Sequence, residues 1–167
     1  MKNRNKTLRL ALAGILCAVA VVGSTLSFPV LSSKCAPVQH VVNVLSGVML
    51  GPWYALGMAF CASLLRNLLG MGSLLAFPGS MCGALLCGIA YGKTGKTFFA
   101  VAGEIIGTGV IGGLLAYPVA VAFMGADAGS VAFYAYVVPF LVSTTVGAAI
   151  AWVLLAYLRR FGVPGSV

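Results

Sequence analysis

Charged side chains are scarce in this sequence, and acidic ones are almost absent. Ten Lys and Arg and two Asp and Glu occur among 167 residues, so charged residues make up 7%. Soluble domains average about 25% charged residues, and the mean hydropathy here is +1.09, which excludes a water-soluble domain. The net charge of +8 does not indicate nucleic-acid binding, because the basic residues flank apolar runs, where they set topology and contact anionic lipid headgroups.

Side chains that perform catalysis or hold metals are few as well. One His and two acids provide neither paired carboxylates nor a His-rich metal site. The five Cys have no paired spacing, and four lie in apolar runs, where a thiol acts as a small hydrophobe. Gly-Lys-Thr occurs at residues 92–94 and 95–97, but a phosphate-binding loop needs a Gly five positions before the Gly of the Gly-Lys pair, and those positions hold Cys87 and Ala90. The sequence therefore predicts no enzyme, no metal and no cofactor.

The basic residues that are present fall into three clusters between apolar runs. Eight of the ten lie in the N-terminal tail, at Lys93 and Lys96, and at Arg159 and Arg160. Gly51-Pro52 and Pro78-Gly79 are expected helix boundaries. The predicted helices cover about 8–30, 38–50, 53–69, 79–91, 97–124 and 131–160.

An even number of spans places all three clusters on one side of the membrane, as the positive-inside rule requires. Five spans, with the short second helix in a re-entrant hairpin, would place the two later clusters outside. The apolar N-terminal stretch also resembles a signal peptide, but its apolar character continues to Leu31, which favours a retained helix. We therefore predict an all-α, polytopic bundle of six transmembrane helices, with both termini cytoplasmic and residues 1–167 forming one domain.

Polar residues gather on the predicted outer side. Arg66 lies roughly 20 Å along the third helix, where a charge costs several kcal/mol unless it snorkels or faces a polar cavity. Snorkelling of Arg66 and an interfacial His40 are the simpler alternatives. The combination with the break at Phe77-Pro78-Gly79 favours a polar pocket open to the outside. Its candidate residues are Lys34, Gln39, His40, Asn43, Arg66 and Asn67.

Two further features concern helix contacts. Glu104 is the single acid within a predicted span, about 10 Å from the inner edge, too low to pair directly with Arg66. Either a polar crosslink between helices or a coupling role fits it. Small residues four apart, such as Gly14 and Ala18, allow close helix approach. Internal bundle packing and a surface for a partner protein both remain open.

Several segments resemble one transporter family. The resemblance extends over nearly the whole chain and is strongest from Phe77 to Met81. A six-helix bundle with a basic tail and an outward pocket resembles the substrate-binding S-components of energy-coupling-factor (ECF) transporters, and within them the ThiW family. The matching segments are Cys35–His40, Asn43-Val44, Leu50–Pro52, Arg66-Asn67, Leu75–Met81, Gly103-Glu104 and Gly107–Gly109.

The resemblance implies a subunit, in a prokaryotic plasma membrane, that captures the thiazole moiety of thiamine (hydroxyethylthiazole). It also implies a transmembrane T-component and two ATPase subunits, which would use the ATP. The Ala-xxx-Ala motif that S-components commonly carry in the first helix is not matched, although Gly14 and Ala18 preserve a small-residue groove as a partner interface.

For such a substrate, amide and imidazole groups would bind the ring nitrogen and hydroxyl, and aromatic rings would stack on the thiazole. Lys34 and Arg66 suit a carboxylate or phosphate instead, so an anionic thiazole is an open variant. An S-component for another vitamin-like solute, or a stand-alone channel or membrane scaffold, is the alternative. The full set of predicted substrate-binding residues is Lys34, Gln39, His40, Asn43, Arg66, Asn67, Phe77, Ser80 and Tyr117.

Overall fold

The computed structural model describes residues 2–30, 33–127 and 129–161, with side chains from residue 6 except those of 29, 30, 33 and 34. Helices dominate it. A π-helical segment, Ile105–Gly112, joins α5 to α6 in one continuous rod of 27 residues, so the described residues contain six helical rods. The helices are α1 Lys2–Gly23, α2 Pro37–Leu50, α3 Pro52–Leu68, α4 Ala76–Thr94, α5 Thr97–Glu104, α6 Gly113–Phe123 and α7 Val137–Arg160.

The rods begin and end where Pro and Gly require it. Pro37 and Pro52 start α2 and α3, where the missing N–H needs no partner. Gly51 and Gly95, with φ of 87° and 65°, adopt positive φ at little cost. They form the connections at one end of the bundle, which consist of a single residue between α2 and α3 and two between α4 and α5.

Three predicted boundaries differ from the structure. The first helix ends at Gly23, and an antiparallel hairpin of β1 (Phe28–Val30) and β2 (Ser33–Cys35) follows. Pro78 does not break the chain ahead of the fourth helix but lies in its first turn, where proline is tolerated. The last helix starts at 137 instead of 131, again with a proline, Pro139, in its first turn.

The three basic clusters meet at one end of the bundle. Arg159 Nη2 donates to Tyr91 Oη at 3.2 Å, and Lys96 and Arg159 line one surface cleft. A second cleft brings Arg9 beside Tyr91 and Gly95. This end is called the basic end below. The rods therefore alternate in direction, and the longer connections, residues 24–36, 69–75 and 124–136, lie at the opposite end.

Three rods are long and apolar enough to cross a membrane by length and composition. They are Lys6–Leu26, Thr97–Phe123 and Val137–Arg160, whereas Pro37–Leu50 is apolar but shorter. The bundle thus has the helical character that was predicted. The six-span topology and the cytoplasmic termini remain predictions.

Glycine brings the backbones of α4 and the π segment into direct contact. A Cβ on Gly112 would lie 2.5 Å from Gly79 Cα, and one on Gly107 would lie 2.8 Å from Gly83 Cα. These small residues serve internal packing. Gly14 differs, because it is exposed and no atom lies within 4 Å of the position of an added Cβ.

Candidate binding site

A small polar cavity lies toward the end of the bundle opposite the basic end. Its volume is about 40 Å³, and it is enclosed by α2, α3, α4, the π segment, α7 and the 69–75 connection. Hydroxyl, amide, imidazole and guanidinium groups outnumber the large apolar side chains, which are Met71 and Phe140. Its polar lining is Gln39, His40, Arg66, Ser73, Ser80, Thr108 and Ser143.

A buried carboxylate supports the inner wall of this cavity. Glu104 has no exposed surface, and its Oε1 lies 3.0 Å from His40 Nδ1 and 3.0 Å from Thr108 Oγ1. Asn43 Nδ2 donates to the same oxygen at 3.1 Å. The contact between Glu104 Oε1 and His40 Nδ1 fixes the position of the imidazole ring. The ring is thereby oriented with Nε2 as its second polar atom.

A second set of hydrogen bonds joins three helices beside the cavity. Gln39 Nε2 donates to Ser63 Oγ at 3.4 Å, and the Ser63 and Ser80 hydroxyls lie 2.8 Å apart. Asn43 Nδ2 also reaches the Ser80 carbonyl at 3.3 Å. These bonds hold the cavity-lining parts of α2, α3 and α4 together.

Arg66 lies in the last turn of α3 and lines the cavity. Its residue exposure is 3%, so the side chain does not snorkel to the surface. Its Nε and Nη1 have no hydrogen-bond partner among the described residues. Two donor atoms of the Arg66 guanidinium are therefore buried at the cavity without a partner in the described part of the chain.

The neighbouring Asn67 has a different environment. Its Nδ2 donates to the carbonyls of Ser63 at 2.8 Å and of Ser73 at 3.1 Å. The amide thus fastens the 69–75 connection to α3, and Asn67 is not part of the cavity wall. The connection itself contributes Met71, Gly72 and Ser73 to that wall.

The structure brings four of the nine predicted binding residues to the cavity wall: Gln39, His40, Arg66 and Ser80. Phe77 is in ring contact with Phe60 at 5.7 Å between centroids, and Tyr117 packs with an apolar cluster on α6 and α7. Asn43 lies behind the wall, on Glu104. Lys34 lies in β2, and its side chain is outside the described residues.

Sequence reasoning missed Thr108, Phe140 and Ser143. Thr108 and Ser143 are hydroxyl residues within apolar runs, and this pattern could have identified them as candidates for a polar cavity. Ser143 Oγ accepts from the Ala36 N–H at 3.0 Å, which anchors the start of α2 to α7. Phe140 supplies the aromatic ring of the cavity that had been assigned to Phe77 and Tyr117.

Cys35, the last residue of β2, is buried. Its Sγ donates to the Pro139 carbonyl at 3.6 Å. Burial raises the pKa of the Cys35 thiol above its ordinary value, and a hydrogen bond with Ser143 offsets part of that rise. Among the described residues, no group of three or more His, Cys, Asp or Glu is placed to hold a metal ion.

A hydrophobic helical bundle that encloses a small polar cavity is typical of a membrane protein that handles a small solute. The sequence model of one family, described as thiamine-precursor transporter protein (ThiW), matches residues 10–161. The chain therefore belongs to the ThiW family, as the resemblance predicted, and is a membrane protein of thiamine-precursor transport. Comparison with curated proteins found no match, and comparison with solved structures found none.

Proposed function

We propose that this chain is the substrate-binding S-component of an ECF-type importer in a prokaryotic plasma membrane. Its substrate would be hydroxyethylthiazole or a close thiazole derivative, and residues 1–167 would form one multi-pass domain. The observation that carries the proposal is the position of the polar cavity, opposite the basic end. With the basic end in the cytoplasm, the cavity faces the side from which a nutrient arrives.

The cavity wall supplies the groups that a hydroxylated thiazole needs. Gln39, Ser80 and His40 Nε2 would hydrogen-bond the ring nitrogen and hydroxyl, and Phe140 would pack on the ring. Asn43 and Glu104 would act indirectly, by holding His40 and Ser80 in place.

Entry of a ring requires the cavity to widen. Its volume of about 40 Å³ is well below the roughly 150 Å³ of a cavity known to admit benzene. The 69–75 connection contributes three wall residues outside the helices, and it is attached to α3 through Asn67. We expect this connection to move outward when the solute enters.

Energy for uptake would come from partner subunits, a T-component and two ATPases, with no cofactor in this chain.

The exposure of α1 supports a partner surface there. Gly14 and Ala18 are exposed, while Ala13, Cys17 and Ala20 face the bundle core. Gly14 also borders an apolar groove of about 430 Å³ that includes Gly57 on α3. A transmembrane helix can approach such a surface closely.

Calorimetric titration of hydroxyethylthiazole into the purified chain tests the proposed function. We expect Gln39→Ala and His40→Asn each to weaken binding about 5- to 150-fold, since a lost hydrogen bond in a desolvated site costs about 1–3 kcal/mol. The Asn side chain of the second variant keeps an N–H group in the place of His40 Nδ1, next to Glu104. It has no polar atom in the place of Nε2. Thr94→Ala, at the basic end, is the matched control.

Mass spectrometry of co-purified small molecules separates the alternatives. Retention of a different vitamin-like solute, without thiazole binding, would identify an S-component of other specificity. Absence of binding to either would leave a channel or scaffold and refute the proposal.

A further inference from the structure

Arg66 is the cavity residue whose chemistry the neutral thiazole leaves unused. Its side chain is buried on α3 beside Ser73 and Ser80, and two of its three nitrogens are both buried and without hydrogen-bond partners in the described chain. A guanidinium keeps its charge in proteins and presents five donors in a planar fork. Burial of such a group without partners is costly, so it calls for a compensating acceptor.

The chain cannot readily provide that acceptor from its own carboxylates. It has two acidic side chains. Glu104 is engaged with His40 and Asn43, and Asp127 is exposed and accepts from the Gly129 N–H. Among the described residues, neither acid lies within 4.0 Å of Arg66.

Neither snorkelling nor the field of the helix end accounts for the buried guanidinium of Arg66. A snorkelling side chain would expose its charged head, whereas Arg66 is 3% exposed. Its position in the last turn of α3 is favourable to a cation, but the carbonyl of Arg66 itself already accepts the N–H groups of Met71 and Gly72. The field of the helix end leaves the donors of the guanidinium unsatisfied.

We infer that Arg66 binds an oxyanion of the transported molecule, so the substrate is a thiazole carrying a carboxylate or a phosphate ester. A planar guanidinium accepts either group through two parallel hydrogen bonds. The hydroxyl of Ser73 lines the same cavity and is a suitable additional donor, whereas the hydroxyl of Ser80 already donates to the Ala76 carbonyl at 2.8 Å. The thiazole ring in this inference rests on the proposed function. The oxyanion is inferred from Arg66 alone.

Binding of a matched series to the full chain in phosphate-free detergent tests the inference. The series is hydroxyethylthiazole, its phosphate ester and the corresponding thiazole carboxylate. We expect at least one anionic compound to bind about 100-fold more tightly than the neutral one, the range expected when a buried charge gains its partner. Comparison of the two anions shows which oxyanion fits.

Variants at position 66 attribute that preference to the guanidinium. Arg66→Met should reduce the anionic-to-neutral ratio to about 1, and Arg66→Lys should retain part of it, because a point charge replaces the fork. Arg160→Met, exposed at the basic end, should leave the ratio unchanged. Arg66→Met should also keep or raise the melting temperature, since it removes a buried charge that has no partner.

Small ions make the inference testable apart from the thiazole. Inorganic phosphate or acetate should raise the melting temperature of the wild type and not that of Arg66→Met. That result without thiazole binding would support the oxyanion and refute the proposed thiazole substrate. Equal binding of neutral and anionic thiazoles, with no effect of either ion, would overturn the oxyanion and leave thiazole uptake intact. An Arg66-dependent shift with phosphatidylglycerol alone would assign the site to a lipid headgroup and would also overturn the inference.

Discussion

At the residue scale, the contact between Glu104 and His40 determines how the cavity wall is built. Glu104→Ala would leave the donors of His40 and Asn43 without their acceptor, whereas Glu104→Gln keeps an acceptor oxygen in place. Each unsatisfied buried donor costs about 1–3 kcal/mol. We therefore expect the alanine variant to melt well below the glutamine variant in a thermal-unfolding assay. Equal melting temperatures would show that the carboxylate does not support the wall.

Sequence reasoning found much of the site but not this contact. Gln39, His40 and Arg66 were identified because polar groups in apolar helices need polar surroundings. Glu104, at about 10 Å from the inner edge, was predicted to lie too low to pair directly with Arg66, and its contact with His40 was not predicted. In the structure α2 has 14 residues, so His40 lies roughly 15 Å from the inner end of its helix. The His40 and Glu104 side chains span the remaining difference in depth between the two residues. Counting residues along each helix does not reveal such a contact.

At the element scale, the close contact of α4 with the α5–α6 rod depends on glycine. A Cβ on Gly83 would lie 2.5 Å from Glu104 Oε2 and 2.8 Å from its Cδ. Gly83→Ala should therefore force the helices apart and destabilise the bundle by about 1–3 kcal/mol. Gly57→Ala in α3 is the matched control, because no atom lies within 4 Å of its added Cβ. Thermal unfolding in detergent measures the stability of both variants. A Gly83→Ala variant as stable as the wild type would contradict the close contact between α4 and the α5–α6 rod.

The helix boundary at Gly51-Pro52 followed from the sequence, because Gly51 adopts a positive φ and Pro52 starts the next helix. Pro78 was misplaced because proline is compatible with both a break and a first helical turn, and periodicity does not distinguish them. The π segment Ile105–Gly112 was not predicted either. Its apolar, Gly-rich sequence is compatible with an ordinary helix, and tertiary packing against α4 decides the outcome.

At the scale of the whole molecule, six spans with cytoplasmic termini can be tested by labelling. Single cysteines at Ser33, Gly129 and Thr94 would be introduced into a cysteine-free chain in intact cells. An impermeant maleimide should react from outside at positions 33 and 129 but not at 94, because the predicted topology places the basic end in the cytoplasm. Outside labelling at position 94 would refute this topology.

The proposed partner surface is also a property of the whole molecule. Gly14→Leu places a large side chain on an exposed face of α1 that has no neighbour within 4 Å. It should abolish co-purification with the T-component and uptake, because close helix packing drives association in lipid. Solute binding by the isolated chain should persist. Loss of solute binding with retention of the partner would assign Gly14 to the interior of the bundle instead.

The unequal lengths of the connections have a consequence for how such a chain diversifies. At the basic end, α2 joins α3 through one residue and α4 joins α5 through two, so an insertion there would displace the helices themselves. At the cavity end, the connections of 7 or more residues tolerate insertion far better, since loop closure costs little more as a loop lengthens. Insertions can therefore accumulate at the cavity end of the bundle while the basic end keeps a constant shape.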